Sequence, residues 1–96
     1  MKESRFQHNL IKEIETRFPG SLVYKMDARY RQGTPDILVL YGKNWATLEC
    51  KNSPKANKQP NQEYYVGLMN EMSFSRIVTP ENKEEVLNDL QRSFKP

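Results

Sequence analysis

A tight turn in the middle of the sequence constrains the fold of this chain more than any other feature. The apolar run Ile37–Tyr41 is followed by Gly42-Lys43 and then by a second strand-forming stretch, Trp45–Lys51. Glycine is favoured at the first position of the two-residue type II′ loop, which joins antiparallel strands. The pattern therefore predicts a β-hairpin whose register follows from the turn itself.

This register places two acidic side chains opposite each other. If Tyr41 pairs with Asn44, counting back along the strands pairs Asp36 with Glu49, and these two residues are called the acidic pair below. Directly opposed residues have Cβ atoms roughly 4.5–5.5 Å apart, where two carboxylates repel each other. A divalent cation between them would remove the repulsion, and oxygen ligands suit hard ions such as Mg²⁺ or Mn²⁺. Lys51 follows Glu49 by two residues, so it points to the same face of the strand.

Hydrophobic periodicity predicts the element order α-β-β-β-α-β-α. The predicted elements are a helix from Ser4 to Phe18, strands at Leu22–Tyr24, Ile37–Tyr41 and Trp45–Lys51, a helix from about Pro60 to Met72, a strand at Phe74–Val78, and a last helix with Thr79 as N-cap and Pro80 at its first position. The strand at Phe74–Val78 is expected to pair in parallel with the Glu49-bearing strand, through a β-α-β crossover. The apolar run Ile37–Tyr41 lacks alternation, so we expect it to be covered on both faces. The predicted fold class is α/β, with a mixed central sheet flanked by helices, and residues 1–96 are expected to form a single domain.

Composition excludes several classes of protein. There is no run of about 18 apolar residues, so no membrane span is expected. The N-terminus leads into an amphipathic segment and not into a signal peptide, which predicts a cytoplasmic protein. Cys50 is the only cysteine, which excludes an intramolecular disulfide and a cysteine-based zinc site. Because Cys50 alternates with Glu49 and Lys51, its thiol is expected to face the core.

Basic residues are concentrated in the middle of the chain. The net charge is only +3, but seven basic residues and three acids lie between Lys25 and Lys58. A basic surface beside the acidic pair would attract a phosphate backbone. The candidates for phosphate contacts are Lys25, Arg29, Arg31, Lys55 and Lys58.

Taken together, these segments resemble the PD-(D/E)xK nuclease superfamily, and within it the small VRR-NUC and Holliday-junction-resolvase-like nucleases of phages and prophages. The segments that carry the resemblance are Glu3-Ser4-Arg5-Phe6, Gly33-Thr34-Pro35-Asp36, Glu49-Cys50-Lys51, Pro60-Asn61-Gln62 and Thr79-Pro80-Glu81-Asn82. The resemblance covers nearly the whole chain and implies a restriction-endonuclease-like core. It also implies a phage or prophage protein in the cytoplasm of a bacterial host.

The resemblance implies further site residues. The backbone carbonyl of Cys50 would be a metal ligand in addition to the acidic pair. Gln62, in the first turn of the second helix, would hold the site through water or through Lys51. Glu3, at the start of the first helix, would reach the metal directly or through water. Two other acids on the same predicted helix compete for this role, Glu13 and Glu15.

The predicted function is that of a Mg²⁺-dependent DNA endonuclease, in which Mn²⁺ can substitute. Lys51 would stabilise the negative charge that develops in the transition state. By resemblance, cleavage would expel the 3′ oxygen and leave a 5′ phosphate, and the substrate would be branched DNA such as a Holliday junction. Because the domain is small, a homodimer is expected. The alternatives are a non-catalytic nucleic-acid-binding module of the same fold and a plain α/β interaction protein.

Overall fold

In the computed structural model, which describes residues 2–27, 29–55 and 61–95, four strands form one mixed sheet. The elements are α1 (Glu3–Arg17), β1 (Leu22–Lys25), β2 (Ile37–Tyr41), β3 (Asn44–Cys50), α2 (Gln62–Met72), β4 (Phe74–Val78) and α3 (Lys83–Phe94). The strand order is β1-β2-β3-β4, in which β1, β2 and β3 are antiparallel neighbours and β4 runs parallel to β3. The predicted element order and the predicted parallel crossover are therefore confirmed.

The turn between β2 and β3 fixes the register of the hairpin. Tyr41 pairs with Asn44, as predicted. Gly42 has φ 61, in the left-handed region that a type II′ turn requires at its first loop position. One step beyond the last pair of the ladder, the same register places Asp36 opposite Glu49.

The two faces of the sheet are covered to different extents. Helices α1 and α3 pack on one face, and a single core cluster contains apolar residues from both helices together with Val39 and Leu48 of the hairpin. Helix α2 lies on the other face, where the Thr47 hydroxyl contacts Met69 Sδ at 3.4 Å. A crossover helix packs over the two strands that it joins, so α2 covers β3 and β4. Residues of β2 on this face, such as Leu38, are only half-buried. The predicted burial of Ile37–Tyr41 on both faces is wrong for this reason.

The last helix begins later than predicted. The Asn82 N–H donates to the Thr79 carbonyl at 3.2 Å, so the segment from Thr79 to Asn82 forms a turn and α3 begins only at Lys83. The Thr79 N–H also donates to Asn82 Oδ1 at 2.8 Å, a local hydrogen bond that competes with helix formation. Helix α2 begins at Gln62, after Asn61 in the left-handed conformation with φ 72. The predicted start at Pro60 lies outside the described residues. Within the described ranges, no helix is long and apolar enough to cross a membrane.

The loop before β2 touches the start of α2. Gly33 has φ 91, and a Cβ atom at this position would lie 2.8 Å from Asn61 Cβ and 2.9 Å from the Asn61 backbone. Only glycine permits this approach, because any side chain would collide with Asn61. The contact joins the segment that leads to Asp36 to the residue that precedes Gln62.

Candidate active site

The acidic pair lies at the end of the β2–β3 hairpin that is far from the turn. Asp36 precedes β2, and Glu49 is the penultimate residue of β3 with 1% of its surface exposed. Asp36 Oδ2 accepts a hydrogen bond of 2.9 Å from the Cys50 N–H. A backbone donor of the neighbouring strand thus orients the Asp36 carboxylate, which leaves Oδ1 available for another ligand.

Glu49 has one satisfied oxygen and one orphaned oxygen. Its Oε2 accepts a hydrogen bond of 2.7 Å from Gln62 Nε2 and lies 3.4 Å from Lys51 Nζ. Its Oε1 is buried and has no hydrogen-bond partner within the described part of the chain. Leaving a buried charged acceptor unsatisfied is costly, so Oε1 marks a position where a cation or a donor from outside the chain fits.

Burial disturbs the titration of both acids, and the charge of Asp36 adds to the effect at Glu49. Burial raises the pKa of Glu49 to about 7, the negative charge of Asp36 contributes to this rise, and Lys51 opposes it. Burial also raises the pKa of Asp36, against the hydrogen bond from Cys50 and the charge of Lys51. Two facing carboxyl groups with raised pKa values indicate a site in which one lysine does not fully balance the negative charge.

The donor set at this position fits a hard divalent cation. In a β-strand the N–H and C=O groups of one residue point the same way, so the Cys50 carbonyl faces the Asp36 side, as its N–H does. Carboxylate and carbonyl oxygens are the ligands of Mg²⁺, which commonly takes one or two carboxylates and retains several waters. The described residues contain no group of three or more His, Cys, Asp or Glu side chains suited to a metal. Asp36, Glu49 and the Cys50 carbonyl are the oxygen donors here that could hold such a cation.

Lys51 and Gln62 both contact Glu49 directly. Lys51 directly follows β3, has 6% of its surface exposed and pairs with Glu49 Oε2. Gln62 is the first residue of α2 and has 7% of its surface exposed. Gln62 was expected to act through water or through Lys51, whereas its amide donates straight to the Glu49 carboxylate.

Of the acids on α1, Glu3 is the one whose charge reaches the acidic pair. Glu3 is the first residue of α1, is half-buried and adds to the upward shift of the Glu49 pKa. Glu13 is engaged elsewhere, in an ion pair of 2.9 Å with Lys83 of α3. Glu15 is exposed. Glu3 is therefore close enough to the acidic pair for its charge to act on Glu49. It does not form a metal-binding group of three acids with the pair among the described residues.

The predicted phosphate-binding residues are only partly brought together. The exposed members are Lys25, Arg29, Arg31 and Lys55, and Lys58 lies outside the described residues. Arg29 forms an ion pair of 3.0 Å with Asp27. Lys25 pairs with Ile37 in the sheet register and therefore projects from the face opposite to that of Asp36. Of the five predicted residues, Arg31 and Lys55 therefore remain as candidates. Both are exposed, and neither has an ion-pair partner among the described residues.

The Cys50 side chain is part of the hydrophobic core and not of the candidate site. Its thiol is fully buried in the cluster that α1 and α3 cover, and burial raises its pKa. The predicted core role is confirmed. A buried thiol with a raised pKa is a poor nucleophile.

Sequence reasoning missed the contact between Gly33 and Asn61, which aligns two parts of the site. The available signal was a glycine three residues before Asp36, in a loop of otherwise polar residues. An isolated glycine often marks a close backbone approach, but the sequence does not say which segment approaches it.

Comparison with known proteins supports the fold. No protein-family model matches the chain, and no curated protein matches it. A solved structure described as a VRR_NUC domain superposes with a TM-score of 0.62 over 84% of this chain and 92% of that chain, at 21% sequence identity. The chain therefore has the fold of a VRR-NUC domain, and the α/β fold class predicted from the sequence is confirmed.

Proposed function

We propose that this chain, with its VRR-NUC fold, is a metal-dependent DNA endonuclease. The observation that carries the proposal is the buried, orphaned Oε1 of Glu49, a residue that lies opposite Asp36 in the sheet register and beside the buried ammonium group of Lys51. Two neighbouring carboxylates beside a single lysine repel each other, and a divalent cation between them would offset this repulsion. The similarity in fold to a VRR_NUC domain supports the same interpretation.

In this proposal the chain holds and orients the ligands of one divalent cation. Asp36, Glu49 and the Cys50 carbonyl would bind it. The chemistry that such a cation supplies is polarisation of a phosphoryl oxygen and a lowered pKa for water. Gln62 and the Cys50 N–H each donate to one oxygen of a carboxylate, which would leave the other oxygen of each acid for a cation.

Lys51 would stabilise charge at the phosphate. Its ammonium is buried against Glu49, so its field acts where little water can screen it. During hydrolysis the water would lose a proton to solvent as its oxygen bonds to phosphorus, the bond from phosphorus to the 3′ oxygen would break, and the 3′ oxygen would take up a proton, which gives a 5′ phosphate and a 3′ hydroxyl. Negative charge grows on the phosphoryl oxygens in this step, and a fixed cation beside them lowers the barrier.

Branched DNA, such as a Holliday junction, is the proposed substrate, and a homodimer is the proposed assembly. The exposed Arg31 and Lys55 support binding to a phosphate backbone. The exposed apolar side chains of Leu22 and Tyr24, on the half-covered face of the sheet, support a dimer. Sedimentation equilibrium tests the assembly, and a monomer at all concentrations would contradict it.

A cleavage assay tests the proposed activity. Purified protein is incubated in Mg²⁺ or Mn²⁺ with four-way junctions, forks, flaps, duplexes and single strands. Cleavage is expected with metal and not with a chelator. Asp36→Asn and Glu49→Gln are expected to abolish cleavage while DNA binding remains or improves, because negative charge near the phosphates is removed.

Glu71→Gln is the matched control, since Glu71 is an exposed acid on α2. It is expected to cleave like the unaltered protein. If no substrate is cleaved with either metal, the endonuclease proposal fails. DNA binding that is then indifferent to metal and to Asp36→Asn would identify a non-catalytic binding module.

A further inference from the structure

A cavity of about 290 Å³ lies at the carboxyl ends of the parallel strands β3 and β4. Lys51 and Pro54 line it from the segment that follows β3. Thr79 and Glu81 line it from the turn that follows β4. None of these residues except Lys51 has a role in the proposed hydrolysis. The volume is close to the lower end of the range for small-ligand pockets, about 300–1,000 Å³.

The cavity adjoins the acidic pair. Ile77, another lining residue, lies directly opposite Glu49 in the parallel register, so the two side chains share one face of the sheet. Lys51 belongs to both places, because it lines the cavity and pairs with Glu49 Oε2. A phosphate bound at the acidic pair would therefore have the cavity beside it.

The lining is suited to a flat, uncharged group with polar edges. Ile77 and Pro54 supply apolar walls. Glu81 is exposed and makes no hydrogen bond or ion pair with the other described residues, so its carboxylate is free to accept hydrogen bonds. The Thr79 hydroxyl accepts a hydrogen bond from the Asn82 N–H at 3.3 Å and keeps its own hydrogen to donate.

A second phosphate fits this cavity poorly. The carboxylate of Glu81 would repel it, and the ammonium of Lys51 is already shared with Glu49. A nucleobase, by contrast, has a flat apolar face and N–H groups that can donate hydrogen bonds to a carboxylate. The turn that carries Glu81 is held rigidly, because Asn82 Nδ2 donates to the Ile77 carbonyl at 3.0 Å and the Thr79 N–H donates to Asn82 Oδ1.

We propose that this cavity receives one unpaired nucleobase, from a nucleotide that flanks the scissile phosphate. The inference rests on the proposed endonuclease function and names its substrate class. A base inside a duplex is stacked and paired, and it must be extruded to enter such a pocket. Extrusion is least costly for a base that is already unpaired, so the cavity selects DNA with an unpaired nucleotide at a branch, flap or junction.

Cleavage of DNA with abasic sites tests the inference on the unaltered protein. A branched oligonucleotide of known cleavage position is made in a series, with a single abasic residue at each nucleotide around that position in turn. Loss of one flanking base is expected to lower the cleavage rate about tenfold, as for the loss of one good base contact. Abasic residues at the other positions are expected to have little effect.

The variant Glu81→Ala tests whether the effect of the missing base on the cleavage rate arises in the cavity. This variant is expected to cleave the intact substrate several-fold more slowly and to match the unaltered protein on the substrate that lacks the flanking base. Glu85→Ala, at another exposed acid in the first turn of α3, is the matched control and is expected to change neither rate.

The outcomes separate the two proposals. Cleavage at equal rates whichever base is removed would overturn the cavity as a base site and leave the endonuclease intact. The base site is overturned in the same way if Glu81→Ala changes the rates on intact and abasic DNA equally. Absence of cleavage on every substrate removes the endonuclease proposal, and the base site with it.

Discussion

Glu49 is the residue on which the proposed cation site depends most. The residue is buried, one of its oxygens has no hydrogen-bond partner among the described residues, and its pKa is raised to about 7. In the unfolded chain a glutamate titrates near its ordinary value, about 4.3. The folded protein therefore holds a proton on Glu49 more tightly than the unfolded chain does. Stability from this proton is full below the unfolded pKa and is lost as the pH rises through the folded pKa.

The metal-free protein is accordingly predicted to lose stability as the pH rises from about 5 to about 8. The free energy of unfolding is expected to fall by roughly 2–3 kcal/mol from Glu49 alone. Asp36, whose pKa is also raised by burial, contributes a change of the same sign. Urea unfolding at a series of pH values in a chelating buffer measures the effect.

Glu49→Gln removes the titrating group and is expected to flatten this dependence, whereas Glu71→Gln should retain it. A Glu49→Gln variant with the slope of the unaltered protein would show that the raised pKa belongs to another group.

Gln62 is predicted to tune the same carboxylate. Its amide donates to Glu49 Oε2 at 2.7 Å, and a hydrogen bond to the charged form of an acid lowers its pKa. Gln62→Leu is therefore expected to raise the Glu49 pKa and to move the acidic limb of the cleavage–pH profile up by about one unit. Gln91→Leu, at an exposed glutamine on α3, should leave the profile unchanged. A lower rate at all pH values, with no shift of the profile, would indicate a packing role only.

Among the secondary-structure elements, the approach of the loop before β2 to the start of α2 is the most demanding. Gly33→Ala is predicted to cost about 2–5 kcal/mol of folding stability, because it combines an unfavourable φ with a collision against Asn61. Cleavage should fall as well, since Asn61 precedes Gln62. Thermal unfolding and activity assays of the same preparation measure both effects.

Gly20→Ala provides the comparison, since Gly20 has φ 90 and an added Cβ atom there would have nothing within 4 Å. Its cost is expected to be limited to the backbone strain, about 1–2 kcal/mol. Equal losses for the two glycine variants would mean that the contact with Asn61 is unimportant.

Features that depend on residues close together in the sequence could be predicted, and contacts between distant segments could not. The pairing of Asp36 with Glu49 followed from a two-residue turn only a few residues away, so counting was sufficient. The bond from Gln62 to Glu49 depends on where α2 docks on the sheet, and the residues alone do not specify that distance. The late start of α3 depends on side-chain hydrogen bonds between Thr79 and Asn82, which resemble those of a helix cap in sequence.

At the scale of the whole molecule, the fold brings together two carboxyl groups from separate elements. Their proximity is unfavourable unless a cation lies between them. Folding buries Glu49 and half-buries Asp36 beside one lysine, so a cation that binds only the folded state is expected to stabilise the protein by mass action. The carboxylates must be deprotonated to bind it. The sheet, the crossover helix and the loop before β2 all contribute to this single site.

Millimolar Mg²⁺ or Mn²⁺ is therefore predicted to raise the unfolding temperature. The increase should be larger at a pH of about 8 than at about 6, because Glu49 is largely ionised only above its pKa of about 7. Scanning fluorimetry with and without metal measures the shift. Asp36→Asn should reduce it strongly, and an equal shift at both pH values would disagree with the assigned ligands.

Anomalous diffraction from crystals soaked in Mn²⁺ tests most directly whether the two acids share an ion. We predict one strong peak within coordinating distance of Asp36 Oδ1, Glu49 Oε1 and the Cys50 carbonyl, and no such peak in Asp36→Asn crystals. Saturating Mn²⁺ with no density between these oxygens would contradict the account.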